Sequence, residues 1–458
     1  MFKNLGSKYF DYRGNKTNFA TEFRAGCTTY LTGCYILFLG PFIMSGNGKG
    51  VEGGFFDFGF AFTGLVVATV IANVIIGLYA RTWPIMISQG LGINSIVAFT
   101  FVAGMGYTPA EALATVFLAG VAFLIASLTP LRSWVLNSIS MTLKKSIGCG
   151  IGLFLAFIAL SIMDVIGDNP VTFVTLSDKI TSPLTIMGLL TFVTICALHY
   201  KKVKGAIIIG LLFFAFLSWL PIWNWTGGSL ENGALAQFNG IASMPPEMGY
   251  FFAAFEGFNS GKVFTTSGLV AVFVIWWLDI MDSMGTLTSV ASVIPGRIDS
   301  KGRVKDIDKA FLSDASATVV GSLTGSSTQT SFIESGSGIV GEKGRTGMVS
   351  LVVAALFLLS LFFAPLATSL SKNIDGAALL FVSVLFIQNI VDIDWKDITE
   401  SAPGLLGAVA MPFLSSITSG ICIMFITYAA LKILTGQASR TPSAIWVVAV
   451  ISVLNFAV

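Results

Sequence analysis

Apolar runs of about 18 or more residues recur from residue 22 to the end of this chain, and a run of that length is what one helix needs to cross a bilayer. Inside hydrocarbon every backbone N–H and C=O must find a partner within the protein, so such runs can only be helices. About fourteen segments can be counted. Seven run at roughly 22–45, 55–80, 84–103, 110–129, 146–164, 182–199 and 203–220, and seven at roughly 266–292, 309–324, 327–342, 347–370, 375–391, 402–434 and 441–458. The penultimate one is long and is expected to bend near Pro412 or Gly420. Composition agrees: 11% of residues are charged, where a soluble domain has about a quarter. The pattern predicts an all-α polytopic membrane protein.

The basic residues orient it. With the N-terminus placed in the cytoplasm, all but six of the 26 Lys and Arg fall on the inside; the six outside are Lys49, Lys179, Lys262, Lys372, Lys432 and Arg440. This obeys the positive-inside rule and predicts a multi-pass protein of the cell (inner or plasma) membrane with both termini cytoplasmic. The first residues, "MFKNLGSKYFDYRGNKTNFATEFRAG", contain no apolar core of a signal peptide. The expected organisation is a cytoplasmic N-terminus over 1–21, a first seven-segment unit over 22–220, an extracytoplasmic loop over 221–265 and a second unit over 266–458. Trp223 and Trp225 in the loop read as interface anchors. A net charge of +2 gives no reason to expect nucleic acid as a partner. The five cysteines form no CxxC or Cys/His spacing, so neither a disulfide frame nor a metal site is expected. Cys34 stands out because it sits mid-span beside Gly33. The single histidine, His199, lies in "ALHYKKVKG" at a helix end and reads as interfacial.

Two segments are poor membrane helices. One is "WPIMISQGLGINSIVAF" (83–99), the other "TGSSTQTSFIESGSGIVG" (324–341), and each is third in its half. Interrupted segments in corresponding positions of two halves point to a transporter's binding site. Both are expected to break into an extended piece and a short helix, with backbone N–H groups aimed at a ligand. A further oddity is "VIWWLDIMDSMGTL" (274–287), with Asp279 and Asp282 in an apolar span. An acid at a helix centre costs about 2.5–3.5 kcal/mol on insertion scales, so Asp279, Asp282 and Glu334 need a reason. Asp279 and Asp282 are spaced i, i+3 and share a helix face. Glu22, Asp314 and Asp394 lie near predicted ends and read as interfacial or capping.

With these residues in hand, the chain resembles the AzgA-like hypoxanthine–adenine–guanine permeases of the nucleobase–ascorbate transporters. The matching stretches are "TEFRAGCTTYLTGCYILFLGP", "QGLGINSIVAFTFVAGMGYTPAEAL", "TLKKSIGCGIGLFLAFI", "LDIMDSMGTL", "GSLTGSSTQTSFIESGSGI" with "GRTGM", and "DIDWKDITESAPGLLGAVAMPFLSSI". They occur in order over about 17–435. The resemblance implies two inverted seven-helix repeats, a core and a gate domain, and a site between them at the broken third and tenth segments. It implies proton-coupled uptake of adenine, hypoxanthine or guanine by an elevator-like movement, and a homodimer in the lipid membrane. The family's binding residues carry over to Asn94, Asp279 and Glu334, with Asp282 in a supporting or coupling role. Related uracil permeases imply that Phe332 and the backbone near Ile333 line the site. Cys34 and Ser331 are further candidates for its lining. At least one of Asp279 and Glu334 is expected to titrate during transport.

The chemistry agrees. A purine presents several N–H donors and little charge, which carboxylates accept well. The chain departs from the family pattern at Gln89, where proline is usual, at Gln329 and Phe332, and at Ser419. Rival cargoes on the same fold are xanthine, urate or uracil. An anion carrier would not present two acids. An intramembrane enzyme would need a nucleophile with a base or a metal set, and Ser331 has no nearby candidate histidine, so no catalytic residue and no cofactor are expected.

Overall fold

A computed structural model describes residues 9–129, 140–170, 172–224, 226, 229–298 and 304–457. Trp225 lies outside the described residues, as do Lys3, Lys8, Arg132, Lys301 and Arg303 of the inside set.

Helices begin where the sequence supplies a cap. Asn18 opens α1 (Phe19–Gly33), accepting the Thr21 N–H. A break at Cys34 and Tyr35 separates it from α2 (Ile36–Met44). Asp57 caps α3 (Phe58–Tyr79). Strand β1 (Ile87–Gln89) follows, then a short helix α4 (Leu91–Ser95) that widens into a π-helical stretch over Ile96–Gly104. Thr108 and Glu111 close a capping box around Pro109 and start α5 (Pro109–Leu128). Ser140 starts α6 (Met141–Ile162), and a small hairpin of β2 (Ile166–Asn169) and β3 (Phe173–Leu176) leads to α7 (Pro183–Tyr200) and α8 (Ala206–Trp219).

The second half repeats the scheme. Helix α9 (Thr266–Val293) precedes α10 (Ile307–Thr324), then β4 (Gln329–Ser331) and a π-turn over Ser337–Gly341. Helix α11 (Met348–Ser360) continues through short turns to Thr368, and α12 (Lys372–Ile387), α13 (Ile398–Phe413), α14 (Ile417–Leu434) and α15 (Ser443–Ala457) complete the described chain.

Among the described residues, nine helices are long and apolar enough to cross a membrane. The stretches over Leu91–Gly104, Ala206–Trp219 and Ile445–Leu454 are apolar but shorter. The protein is thus a mostly helical membrane protein. Exposed apolar side chains such as Val193, Phe213, Leu359 and Val450 fit a surface solvated by lipid.

One expected segment is corrected. The stretch 402–434 is not a bent helix but two helices, α13 and α14, that fold back on each other. The chain turns at Leu414–Ser416, where Ser415 takes φ +50°. A Cβ on Gly407 would meet Met424, and Glu400 near the start of α13 pairs with Lys432 near the end of α14 at 2.9 Å. Proline inside the helix at Pro412, which removes a backbone donor, marks the place. His199 closes α7 with its ring 5.0 Å from that of Phe381.

Helices α1, α3, α5, α9, α10 and α11 pack into one group, and α6, α7, α8, α12, α13 and α14 into another. Within the first, backbones approach closely: a Cβ on Gly64 would lie 2.6 Å from the Thr324 carbonyl where α10 ends at Gly325. Glu22 ties α1 to the start of α11. Its carboxylate is fully buried and accepts the Arg345 and Thr346 N–H groups, each at 3.0 Å, and the Thr346 and Thr17 hydroxyls at 2.7 and 2.6 Å. Glu22 was expected to be interfacial or capping; it is instead fully buried, and the N–H groups it accepts belong to the two residues just before Gly347, the N-cap of α11. Glu22→Ala should cost about 2–3 kcal/mol, the scale of a hydrogen bond to a charged group, read as a lower thermal midpoint of the purified protein.

Candidate functional site

The two broken segments meet. Strands β1 and β4 pair antiparallel, with Ile87 opposite Ser331, Ser88 opposite Thr330 and Gln89 opposite Gln329. The pairing extends through Gly90 N–H to the Thr328 carbonyl at 3.2 Å and Phe332 N–H to the Met86 carbonyl at 2.9 Å. All six strand residues are buried. A two-stranded ribbon has two open edges, and a buried edge must find hydrogen-bond partners.

Each edge is closed by the helix just before its strand. On β1, the Asn73 side chain from α3 donates to the Ile87 carbonyl at 2.6 Å and accepts the Ile87 N–H at 3.2 Å. On β4, the Thr318 hydroxyl from α10 donates to the Gln329 carbonyl at 3.0 Å and accepts the Gln329 N–H at 3.3 Å. Thr318 Oγ1 also lies 2.7 Å from Asp279 Oδ2, so its single proton has two acceptors in reach.

Three aspartates hang on the three residues of β4. Asp279 reaches Gln329 through Thr318. Asp282 accepts the Thr330 hydroxyl at 3.1 Å. Asp314 accepts the Ser331 hydroxyl at 2.9 Å and the Ser283 hydroxyl. Asp314 was expected to be interfacial or capping; it is instead fully buried in the middle of α10, because three donors from two neighbouring segments converge on it. Beyond the strand the chain turns and presents Glu334. Its Oε1 accepts the Tyr35 hydroxyl at 2.6 Å, which the break between α1 and α2 brings into position. Among the described residues no group of three His, Cys, Asp or Glu is placed to hold a metal ion.

The other expected residues divide. Asn94 is fully buried on α4, and neither of its amide atoms has a protein partner. Asp279 is 1% exposed, and its Oδ1 is likewise unpartnered. Helix α4 touches both α9, which carries Asp279, and α6, where a Cβ on Gly92 would lie 3.0 Å from Ile151. Among the described residues no hydrogen bond joins Asn94 to Asp279 or Glu334. Phe332 is buried against the Gly33 and Met86 region. Ile333 is 58% exposed on the turn. Ser331 spends its hydroxyl on Asp314, and Cys34 is buried one residue before Tyr35, its thiol 3.7 Å from the Leu31 carbonyl.

In the tenth segment part of the expected set of backbone N–H groups is used within the turn itself. Ser335, Gly336 and Ser337 donate theirs to the carbonyls of Phe332, Ile333 and Glu334 in consecutive turns. Two cavities, of about 580 and 590 Å³, lie elsewhere: one beside Arg81 and Lys309, the other beside Phe55, Tyr107 and Tyr250.

Sequence reasoning missed Asn73, Thr318 and Tyr35. Asn73 had a signal, as the one amide in the apolar run "FGFAFTGLVVATVIANVIIGLY". Tyr35 and Thr318 had none, being common residues in otherwise ordinary spans.

Residues 21–449 match the model of the Permease family, Xan_ur_permease. The Guanine/hypoxanthine permease PbuO of Bacillus subtilis (strain 168) is 34% identical over 93% of this chain and 95% of its own length. The Adenine permease AdeP of Escherichia coli (strain K12) is 32% identical over 98% of this chain and 95% of its own. The transmembrane domain of a cyanobacterium bicarbonate transporter, BicA, superposes with a TM-score of 0.65 at 15% identity, covering 88% of this chain and 96% of that one; at that identity the likeness is one of fold.

Proposed function

This chain belongs to the Permease family, in its nucleobase–ascorbate transporter branch, and on that premise we propose that it takes up a purine nucleobase together with a proton. The observation that carries the reading is the pair of unpartnered groups in the buried site: Asp279 Oδ1 and the whole amide of Asn94. A buried polar atom without a partner costs about 1–3 kcal/mol. A ligand with several N–H donors and a ring acceptor would offset that cost. Carboxylate oxygens of Asp279 and Glu334 would take the donors, and Asn94 can both give and accept. The relatives named as adenine and guanine/hypoxanthine permeases support the same class of cargo.

Thr318 gives the proton a way to matter. With Asp279 ionised, the Thr318 hydroxyl can donate to it. With Asp279 protonated, the carboxyl can donate to Thr318 Oγ1, and the Thr318 proton turns wholly to the Gln329 carbonyl. The charge on Asp279 is thereby coupled to an edge bond of β4, and through β4 to Glu334.

The packing supports an elevator arrangement, with the helix group around the β1–β4 ribbon as core and the group around α6 and α12 as gate. It also supports two seven-segment repeats, over 19–219 and 266–434. In each, the last two segments lie on the partner repeat's gate helix in the same way: α7 on α12 and α13 on α6, then α8 on α7 and α14 on α13. Counting α13 and α14 as separate spans moves Lys432 and Arg440 from the outside set to the inside set, which strengthens the positive-inside pattern. Helix α15 is then an addition to the repeats, packed on α14 and α9; as a fifteenth span it would put residue 457 on the outside, where the count of fourteen puts it in the cytoplasm.

The test is uptake of radiolabelled adenine, hypoxanthine and guanine in cells lacking their own purine permeases, with and without a protonophore. Unlabelled xanthine, urate and uracil serve as competitors. Uptake of at least one purine, abolished by the protonophore and not by excess uracil, is expected. No purine uptake by protein present in the membrane would overturn the reading.

A further inference from the structure

The cavity of about 580 Å³ near Arg81 lies away from the ribbon, at the end of α3 and the start of α10. Tyr9, Leu78, Tyr79, Arg81, Asp306 and Lys309 line it. Its charge is uneven. The Asp306 carboxylate is shared between Lys309 at 3.1 Å and Arg297 at 3.8 Å. Among the described residues Arg81 pairs with no carboxylate; its guanidinium rests 4.1 Å from the centre of the Tyr9 ring. The Tyr9 hydroxyl donates to the Leu78 carbonyl at 2.7 Å and closes one wall.

An apolar stripe leads into this pocket. Ile71, Val74 and Leu78, spaced by three and four residues, share one face of α3, and all three are exposed. Tyr79, half exposed, ends the stripe at the level where aromatic residues mark a membrane interface. A basic pocket at the end of a membrane helix, continuous with an exposed apolar stripe, has the chemistry of an anionic amphiphile on both counts: cations for a phosphate, aliphatic side chains for a tail. A free aqueous anion would account for the first and leave the second unused.

We propose that this pocket binds one anionic phospholipid, with its headgroup phosphate between Arg81 and Lys309 and an acyl chain along Ile71, Val74 and Leu78. The site is distinct from the purine site and does not depend on that assignment. It also places a lipid on the outer face of the helix whose Asn73 holds β1.

The experiment is native mass spectrometry of the full-length protein in detergent, titrated with phosphatidylglycerol and with phosphatidylcholine of the same chains. One phosphatidylglycerol should be retained in preference to phosphatidylcholine. Arg81→Gln with Lys309→Gln should weaken phosphatidylglycerol binding about thirtyfold, the size expected for two phosphate contacts at a membrane surface. Arg81→Lys should restore much of it. If the double variant fails to fold, Ile71→Asn with Leu78→Asn tests the tail contact and should lower retention while leaving the cations in place. Equal retention by wild type and variants, or no preference over phosphatidylcholine, would overturn the proposal. So would full displacement by millimolar glycerol phosphate with no effect of the stripe variant, since that is the behaviour of a free-phosphate site.

Discussion

Asp279→Asn and Glu334→Gln should each abolish purine uptake while the protein stays in the membrane at wild-type amounts. Both changes keep shape and remove an acceptor. In Asp279→Asn the new amide has two ways to sit, and both are wrong. With its NH₂ toward Thr318, it reproduces the hydrogen bonds of protonated Asp279 but can never release that proton or carry the negative charge, so the coupling is frozen. With its oxygen toward Thr318, the NH₂ stands where Oδ1 is now unpartnered, and a donor faces the N–H groups of the base. In Glu334→Gln, the Tyr35 hydroxyl at 2.6 Å can keep its acceptor, so the loss falls on the ligand and on the charge. A hydrogen bond to a charged group contributes about 1.5–3 kcal/mol, so losing one such bond lowers affinity roughly ten- to 150-fold, and losing the titratable group as well removes the coupling. Uptake by membranes with matched protein content is the measurement, with binding of labelled purine to the purified protein as the second readout. Wild-type uptake by either variant would remove that residue from the site.

Much of this arrangement is legible in the sequence because a bilayer is an unforgiving solvent. A charge or a run of hydroxyls inside an apolar span has to have a use, so Asp279, Asp282, Glu334 and the two interrupted segments stand out from the residue order alone. The boundaries follow from caps such as Asn18, Asp57, Thr108 and Thr265, each a short polar residue ahead of an apolar run. Asp314 is misjudged because position along the chain does not tell depth: the strand it serves arrives from Ser331, seventeen residues on. The α13–α14 hairpin is hidden for a related reason. No charged residue stands between Glu400 and Lys432 to mark a turn, and the pairing of those two with the close approach of Gly407 to Met424 reveals the reversal. Backbone accounting is the other blind spot. Strands of three residues need partners for their edges, and nothing in a single sequence says which side chain supplies them.

That accounting makes Asn73 the residue whose loss should damage the fold most. Asn73→Leu fits a helix and suits an apolar interior, so propensity and hydrophobicity predict little harm. The strand predicts otherwise. Leucine leaves the Ile87 N–H and carbonyl without partners in a fully buried place, and each such group costs about 1–3 kcal/mol. Hydrogen bonds between membrane helices average only about 0.6 kcal/mol, since a displaced side chain finds another partner in the membrane-embedded unfolded state. Here the orphaned groups are backbone, fixed by the pairing of Ile87 with Ser331, and they can reach no helix of their own. The larger figure should therefore win, at about 2–6 kcal/mol for the two groups together. Thr318→Val, the matching change at the other edge, should also destabilise, and it should in addition disconnect Asp279 from β4. The two are separated by what survives. Asn73→Leu should lower the thermal midpoint of the purified protein and, by loosening β1, weaken purine binding through Asn94 just beyond it. Thr318→Val that still folds should bind purine and lose the protonophore-sensitive part of its uptake. A wild-type midpoint in Asn73→Leu would mean that the β1 edge is held by something other than this amide, and the ribbon could then no longer be regarded as the rigid element on which the site is built.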